Sequence, residues 1–308
     1  MNYRHAYHAG NFADVLKHLV FVLVIEYLKH KDAAFRVIDT HAGPGRYLLN
    51  APQAVKTGEW SSGIGRLLGP DAPSLPSQVA GILARYLDVV RAENSGQRVE
   101  VYPGSPLIAR RLLRRQDFLV ANELHPEDGT ELKVLLGRDR RAKVLALDGW
   151  MTLRSLLPPK ERRGVVLIDP PFEEEGELAR MAAGLGEALR RFKSGIYICW
   201  YPIKDIKPVA SFHKKLAAME AGMLRVEIML RAPADPLRLN GCGLVIANPP
   251  FTLHDRLAVV LPVLKDLLAD GPGADYRLDR ITQPERLEPE GAVRSQRSKP
   301  GKTQKAER

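Results

Sequence analysis

The chain has 308 residues, 45% of them hydrophobic, and a formal net charge of +10, which fits one large α/β domain with an insertion, or two smaller domains, and an anionic partner. Its two cysteines, Cys199 and Cys242, have no motif spacing, which argues against a disulfide scaffold and for a reducing compartment. A polar N-terminus without a signal peptide, and a longest apolar stretch (Leu19 to Ile25) well short of the roughly 20 residues of a membrane span, predict a cytoplasmic protein.

An arm rich in aromatic residues and histidine precedes the first predicted helix. Asn11 and Asp14 are suited to cap this helix, which continues with mostly apolar residues and should be largely buried. The first strand follows as F-R-V-I-D and ends at Asp39. The next loop, T-H-A-G-P-G-R-Y, contains glycines that let the backbone approach a ligand closely, although it is not the dinucleotide fingerprint G-x-G-x-x-G.

A long connection separates the first strand from the second. Tyr47 and Asp117 are 70 positions apart, far more than a β-α-β connection needs, and the segment between them contains an amphipathic helix capped at or near Ser77. We therefore predict a small helical insertion. The expected organisation is an N-terminal part of the main domain (1–48), the insertion (49–102), the remainder of the main domain (103–280) and a basic, disordered tail (281–308).

Three further strands are predicted to end in acidic residues. A crossover helix, with Ser105 as its N-cap beside a nucleotide, leads into D-F-L-V-A-N-E, A-K-V-L-A-L-D and V-V-L-I-D. These strands end at Glu123, Asp148 and Asp169. Together with the first strand they predict an S-adenosylmethionine pocket of the Rossmann type, in which Glu123 suits the ribose hydroxyls and Asp148 the adenine amine.

The fourth of these strands ends in D-P-P-F, from Asp169 to Phe172. Proline stops the strand, so a carboxylate, a fixed carbonyl and an aromatic ring meet at the ligand-binding edge of the sheet. Asp169 and the carbonyl of Pro170 can accept both hydrogens of an exocyclic amine while Phe172 stacks on the base. The tetrapeptide resembles the D/N-P-P-Y/F/W signature of amino-methyltransferases, which act on adenine, cytosine or glutamine amides.

A second copy of the pattern, N-P-P-F, begins at Asn248 after another apolar strand. Either copy could be a Pro-Pro turn over a packed phenylalanine. Because Asp169 ends the fourth strand of the acid-terminated series and Asn248 ends a much later one, we assign catalysis to Asp169 and a structural role to Asn248. The later strands complete a predicted seven-stranded, mostly parallel sheet whose last two strands form an antiparallel hairpin.

Basic residues are concentrated in the tail and in two internal groups. Residues 291–308 contain six basic residues and one acidic residue, which suits nonspecific phosphate contacts. One internal group (Arg110, Arg111, Arg114 and Arg115) is predicted on one helix, and the other (138–141 and 160–163) flanks the third and fourth strands. Either internal group could be an ordinary solvated face.

Five segments in order resemble the bacterial 23S ribosomal RNA adenine-N6 methyltransferases of the RlmJ type. They are Y-R-H-A-Y-H-A-G-N-F-A-D-V-L-K-H, D-T-H-A-G-P-G-R-Y, Y-P-G-S-P-L-I-A, N-E-L-H-P and L-I-D-P-P-F. The resemblance covers residues 1 to about 270, including the insertion, and implies methylation of one adenine by a monomer. It departs in two places: Phe172 stands where relatives usually have tyrosine, and the basic tail is extra.

The resemblance also implies roles for individual residues. The cofactor S-adenosylmethionine would be contacted by His18, His41, Ser105, Glu123, Asp148 and Gly149. Asp169 would accept at the adenine amine, and Tyr3 in the N-terminal arm would contact the RNA. The spacing of His5, His8 and His18 matches no zinc pattern, so no metal is expected.

Direct transfer of the methyl group, without a covalent enzyme intermediate, is the expected mechanism. An unpaired adenine is easier to capture than a paired one, so naked or partly structured rRNA is the expected substrate rather than the finished subunit. Three alternatives remain at this point: a DNA adenine-N6 methyltransferase, a methyltransferase for glutamine or small molecules, and a noncatalytic RNA-binding module.

Overall fold

The computed structural model describes residues 4–96 and 98–281, and the central element of this part is an eight-stranded mixed sheet. Its strands are β1 (Arg36–Asp39), β4 (Phe118–Asn122), β5 (Ala142–Leu145), β6 (Gly164–Ile168), β7 (Ile196–Ile203), β8 (Met223–Met229), β9 (Gly241–Ala247) and β10 (Asp275–Ile281). The strand order is β10-β8-β9-β7-β6-β1-β4-β5. A separate antiparallel pair consists of β2 (Arg46–Leu48) and β3 (Val101–Pro103).

Helices cover both faces of this sheet. They are α1 (Phe12–Leu28), α2 (Pro52–Thr57), α3 (Glu59–Ser62), α4 (Gly65–Leu68), α5 (Ser77–Arg91), α6 (Ser105–Leu112), α7 (Pro126–Leu136), α8 (Gly149–Leu156), α9 (Glu177–Arg191), α10 (Ile206–Ala217) and α11 (Leu253–Leu268), with a short 3-10 helix at His5–Tyr7.

Alternate residues of the central strands belong to two separate cores. In β6, Val165 and Leu167 belong to the core that contains α1, α5, α6 and α11, whereas Val166 and Ile168 belong to the core that contains α9 and α10. All four are buried because strand side chains alternate between the faces and both faces are covered. This explains why the sequence of β6 is continuously apolar.

The predicted α/β, Rossmann-like fold class is confirmed, and one feature of the sheet differs from the prediction. The central strands β5, β4, β1, β6 and β7 are parallel, and β8 and β9 form the predicted antiparallel hairpin. However, the prediction of seven strands was wrong, because β10 adds an eighth strand antiparallel to β8. The alternating, charged sequence D-Y-R-L-D-R-I is typical of such an edge strand.

Local helix boundaries also differ by one residue from the prediction. Ser105 and Ser77 are the first residues of their helices, and the N-cap positions belong to Gly104 and Pro76. Asn11 does cap α1, because its side chain accepts hydrogen bonds from the backbone of Ala13 and Asp14. The region 49–102, predicted as the insertion, contains α2 to α5 and is bracketed by the β2-β3 pair.

A buried polar network joins the edge strand to the sheet. Arg225 of β8 forms two short ion-pair contacts with Asp279 of β10, at 2.6 and 2.7 Å, and donates to His213 Nδ1 at 2.9 Å. Because Arg225 is the donor, His213 carries its hydrogen on Nε2, which lies 2.9 Å from the Tyr201 hydroxyl. Tyr201 in turn donates to Glu227 at 2.9 Å.

This network makes the stability of the protein sensitive to mild acid. Burial, together with the positive charges of Arg225 and Arg277, lowers the pKa of His213 to about 4. The unfolded chain binds a proton near pH 6.5 while the folded state stays neutral, so His213 should lower the free energy of unfolding by about 1.4 kcal/mol per pH unit as the pH falls below 6.5. Urea unfolding of the wild type and His213→Gln between pH 7.5 and 5 checks this, because the difference between the two slopes isolates the histidine. Equal slopes would contradict the prediction.

Candidate active site

A cavity of about 250 Å³ lies at the carboxyl ends of the parallel strands. Strand order reverses between β1 and β6, and ligands of open α/β sheets bind at such a point. Most of the residues predicted from the sequence line this cavity: His18, His41, Ser105, Glu123, Asp148, Gly149, Asp169 and Pro170. Phe172 does not line it, and Tyr3 lies outside the described residues.

The loop after β1 is shaped by close contacts that leave no room for larger side chains. Gly43 has a φ of +60°, and a Cβ on it would lie 2.4 Å from the Tyr47 hydroxyl. A Cβ on Gly149 would lie 2.4 Å from His41 Nε2. The Thr40 hydroxyl lies 2.8 Å from His41 Nδ1, which fixes the imidazole ring against Gly149. These glycines therefore keep the cavity open and allow His41 to line it.

The acids after β4 and β5 both organise the backbone around them. Glu123 accepts hydrogen bonds from the backbone of Gly43 and His125, each at 2.7 Å, and burial raises its pKa. Asp148 caps α8 through Oδ1, which accepts from the backbone of Trp150 and Met151. Each acid thus joins a loop or helix start to the wall of the cavity, and each still has lone pairs for a ligand.

Asp39 at the end of β1 is fully buried, and neither carboxylate oxygen meets a hydrogen-bond partner in the described part of the chain. Burial, with a further contribution from the negative charge of Asp169, raises the pKa of Asp39 to about 7, while nearby Ser105 and Lys17 act in the opposite direction. Asp39 is not among the residues that line the cavity.

Asp169 is held by a cluster that we call the lysine clamp, formed by Lys17, Asp14 and Asp169. Lys17 Nζ lies 2.5 Å from Asp169 Oδ2 and 2.8 Å from Asp14 Oδ1. Asp14 Oδ2 accepts a hydrogen bond from the backbone of Gly10 at 2.8 Å and lies 2.9 Å from His5 Nε2. Asp169 Oδ1 has no such contact among the described residues, so it remains available to a ligand.

The electrostatics of the clamp favour a fully charged lysine. Burial alone would lower the pKa of Lys17, but the carboxylates of Asp14 and Asp169 raise it well above its ordinary value. Burial alone would raise the pKa of Asp14, but its contacts with His5 and Lys17 outweigh burial and lower it well below its ordinary value. Only 5% of the Lys17 side chain is exposed, so the ammonium group is shielded from water and has the two carboxylates as its partners.

Sequence reasoning missed Lys17, although a signal was present. A lysine and an aspartate one turn apart in a helix whose other residues are mostly apolar are expected to be buried, and buried charges are paired. The sequence could not show that the third member of the cluster would be Asp169, 152 positions away.

Phe172 occupies a different place from the one predicted for a base-stacking ring. Its backbone has a φ of +52°, and its half-buried ring meets Trp200 edge-on with 5.6 Å between centroids. The ring packs against the core on the α9 and α10 side of the sheet. The structure therefore brings Asp169 and Pro170 to the cavity but not the aromatic residue of the motif.

Asn248 and Asp169 lie at opposite ends of the strands of the sheet. Strand β9 is antiparallel to β7, and Ala247 pairs with Tyr197 near the start of β7, so the second motif follows the wrong end of the sheet for this cavity. The Asn248 side chain donates to the carbonyls of Lys193 and Gly195 at 2.8 and 2.7 Å. These contacts agree with the predicted structural role.

This geometry gives a simple prediction for the second motif. Asn248→Ala should lower the free energy of unfolding by about 1–3 kcal/mol, because two carbonyls lose their donor and a φ of +53° is unfavourable for alanine. The rate of the methyl transfer that the sequence leads us to expect should be unchanged. Chemical unfolding and a methyl-transfer assay on the same preparation check both parts, and a large loss of rate in the folded variant would contradict the assignment.

The N-terminal arm contributes to the cavity wall and is attached to two helices by ion pairs. Arg4 pairs with Glu127 at the start of α7, at 2.6 Å. His8 pairs with Glu59 of α3, at 3.0 Å. His5 lies between these attachments and lines the cavity. The arm therefore places polar side chains at the mouth of the cavity, next to the lysine clamp.

Several arginines of the internal basic groups contact carbonyl groups and acids of the protein itself, at the end of the strands opposite the cavity. Helix α6 ends at Leu112, so Arg114 does not belong to it and instead pairs with Asp117. Arg110 donates to the Leu135 carbonyl at 2.5 Å and Arg141 to the Leu113 carbonyl at 2.6 Å, so both cap the ends of helices. The prediction that four arginines share one helix was wrong, and these contacts favour a structural role.

Comparison with known proteins identifies the family. The family model described as "Ribosomal RNA large subunit methyltransferase D, RlmJ" matches residues 32–282. The chain belongs to the RlmJ family. The Escherichia coli protein "Ribosomal RNA large subunit methyltransferase J" is 42% identical over 271 residues, which cover 87% of this chain and 94% of that protein. The protein of the same name from Haemophilus influenzae is 39% identical over 277 residues, covering 89% and 96%.

A solved structure supports the RlmJ assignment at the level of the fold. Protein LPL1258 from Legionella pneumophila superposes with a TM-score of 0.80 at 34% identity and covers 88% of this chain and 98% of that chain. Membership of the RlmJ family confirms the predicted enzyme class, an S-adenosylmethionine-dependent methyltransferase. In the described part of the chain, no helix is long and apolar enough to span a membrane.

The residues around the cavity fit the cofactor of the RlmJ family. S-adenosylmethionine carries a sulfonium and an ammonium group, and carboxylates that line the cavity, among them Glu123, Asp148 and Asp169, suit such cations. Gly43 and Gly149 leave spaces that any Cβ would fill. Burial lowers the pKa of His41 to about 4, so this ring is neutral at physiological pH and adds no positive charge beside a cationic ligand.

Proposed function

We propose that this protein transfers a methyl group from S-adenosylmethionine to the N6 amine of one adenine in 23S rRNA. The observation that carries the proposal is the arrangement of Asp169 and Pro170 at the cavity, with Asp169 Oδ2 held by Lys17 and Oδ1 open. The family and its relatives support ribosomal RNA of the large subunit as the substrate. The motif D-P-P-F supports an exocyclic amine as the acceptor.

The two acceptors at the end of β6 would orient the amine. Asp169 Oδ1 and the Pro170 carbonyl would each accept one N–H of the adenine, so that the nitrogen lone pair faces the methyl group. When bound, the cofactor supplies an electrophilic methyl group on a sulfonium centre. After methyl transfer, Asp169 would accept the proton that the positively charged amine loses and pass it to solvent.

Lys17 would act as a positioning residue for this carboxylate. Its contact with Oδ2 fixes the direction of Oδ1, and the contact with Asp14 prevents the ammonium group from moving into the cavity. Proximity effects of this kind depend on atoms being held within a few tenths of an ångström.

The remaining predicted residues would hold the two ends of the cofactor and the RNA. We assign Glu123 to the ribose hydroxyls, Asp148 and Gly149 to the adenine, and Ser105, His18 and His41 to the methionine end and the sulfonium region. Tyr3 would contact the RNA from the arm. Phe172 would offer the base only the side of its ring that Trp200 leaves exposed.

RNA would approach from the carboxyl edge of the sheet, where Lys204 after β7, Lys207 at the start of α10 and Arg238 after β8 are exposed. Asn240 donates to the carbonyls of Lys204 and Asp235, so the loops after β7 and β8 form one surface. An unpaired adenine is captured at lower cost than a paired one, which favours protein-free or early-assembly rRNA. We further propose that the enzyme acts in the cytoplasm as a monomer.

A substrate panel tests this proposal. Labelled S-adenosylmethionine is incubated with the enzyme and protein-free 23S rRNA, finished large subunits or double-stranded DNA, and label in each polymer is counted. We expect label in protein-free 23S rRNA and little in the other two. Label in DNA alone would replace the proposal with a DNA methyltransferase, and label only in finished subunits would overturn the assembly stage. Light scattering of the purified enzyme checks the monomer.

A further inference from the structure

A buried chain of hydrogen bonds connects the region 49–102 to the candidate active site. The Tyr86 hydroxyl of α5 lies 3.0 Å from the Tyr102 hydroxyl of β3, which lies 2.7 Å from His18 Nδ1 of α1. The two tyrosines are completely buried, and His18 is 1% exposed. His18 also lines the cavity, so the chain ends at the proposed cofactor site.

The donor and acceptor roles in this series of hydrogen bonds follow from Tyr86, the member farthest from the cavity. Among the described residues, the Tyr86 hydroxyl has one hydrogen-bond partner, the oxygen of Tyr102. A buried hydroxyl hydrogen without an acceptor is costly, so Tyr86 donates to Tyr102. Tyr102 must then use its own hydrogen towards His18 Nδ1, which becomes an acceptor.

These roles determine the tautomer of His18. A neutral imidazole that accepts at Nδ1 carries its hydrogen on Nε2. The ring is neutral because burial, together with the positive charges of Lys17 and His5, lowers the pKa of His18 to about 3 despite the opposing charge of Asp14. Nε2 lies 3.9 Å from Asp14 Oδ1, too far for a good hydrogen bond, so its N–H is free for a ligand in the cavity.

We propose that Tyr102, whose hydroxyl accepts from Tyr86, is a positioning residue that holds His18 as the Nε2–H tautomer, so that His18 donates a hydrogen bond to the carboxylate of the cofactor. The inference rests on the proposed cofactor site. The carboxylate is the anionic acceptor of S-adenosylmethionine, and His18 follows Lys17 directly in α1, which places it near the reacting end of the site. The helical region 49–102 thus contributes to cofactor binding without touching the cofactor.

Affinities for two ligands distinguish this positioning role from a general structural role. S-adenosylhomocysteine has the carboxylate, whereas methylthioadenosine lacks the whole aminocarboxypropyl chain. Tyr102→Phe should weaken binding of S-adenosylhomocysteine about fivefold, the effect of one hydrogen bond, and leave binding of methylthioadenosine unchanged. Titration calorimetry measures both affinities.

Tyr197→Phe is the matched control, because Tyr197 is equally buried and donates to the carbonyls of Ala188 and Phe192 on the other side of the sheet. It should lose stability but keep both affinities. Equal binding of S-adenosylhomocysteine by Tyr102→Phe and wild type would overturn the inference. Failure of the wild type to bind S-adenosylhomocysteine at all would instead overturn the proposed cofactor site.

Nitrogen-15 NMR of the histidine side chains tests the tautomer directly. In the wild type, His18 should show a pyridine-like Nδ1 and a protonated Nε2, and Tyr102→Phe should mix the two tautomers because no hydroxyl then donates to Nδ1. A wild-type His18 with its hydrogen on Nδ1 would overturn the inference. The wild-type measurement needs no variant, so it decides the question even where Tyr102→Phe does not fold.

Discussion

Replacing Asp169 with alanine should lower the rate of methyl transfer by at least about a thousandfold and leave the affinity for S-adenosylhomocysteine nearly unchanged. The carboxylate is the group proposed to accept an amine N–H, and its Oδ1 is the oxygen that the clamp leaves open. Asp169→Asn should also be severely impaired, because an amide oxygen can accept the hydrogen bond but does not offer a carboxylate to the departing proton.

Single-turnover assays and calorimetry on the same preparation check the Asp169 prediction. Asn248→Ala is the matched control, since it alters the other Pro-Pro-Phe motif at the opposite edge of the sheet. An Asp169→Ala variant that binds cofactor and still methylates at near the normal rate would place the chemistry elsewhere.

Replacing Lys17 with methionine should have the second largest effect, on both activity and stability. Without the ammonium group, Asp14 and Asp169 become two close, poorly compensated carboxylates, of which Asp14 is fully buried. Breaking a buried ion pair on one side costs about 3–5 kcal/mol. Asp169 would also lose the contact that orients it, so the rate should fall by about a hundredfold or more.

The double variant Asp14→Asn with Lys17→Met separates these two effects. Removing both buried charges should restore much of the stability, because the remaining asparagine carries no unbalanced charge. It should not restore the rate, since Asp169 still lacks its ammonium partner. Urea unfolding and single-turnover kinetics measure the two quantities. Recovery of full activity in the double variant would contradict the positioning role of Lys17.

The sequence correctly predicted which acids meet at the carboxyl ends of the parallel strands, because the pattern that predicts them is local. Each of the first four predicted strands ends in an acid, and the carboxyl ends of parallel strands lie together. Glu123, Asp148 and Asp169 therefore meet at one cavity, as expected. The order of the strands also separated Asp169 from Asn248, because only a late strand can be the antiparallel one in such a fold.

Contacts between distant segments could not be predicted from the sequence. Nothing in α1 indicates that Lys17 meets Asp169, or that Tyr86 and Tyr102 continue to His18. Phe172 was predicted as a stacking ring, but a φ of +52° and the neighbouring Trp200 direct it towards the core instead. Such contacts depend on tertiary packing, which local patterns do not encode. The predicted role of the basic tail lies outside the described residues.

The most direct test of the account is nucleoside mass spectrometry of protein-free 23S rRNA after incubation with S-adenosylmethionine that carries a deuterated methyl group. The account predicts one deuterated methyl group on the N6 nitrogen of adenosine with the wild type, and none with Asp169→Ala. A labelled nucleoside other than N6-methyladenosine, or equal labelling by Asp169→Ala, would contradict the assignment of amine methylation to this end of β6.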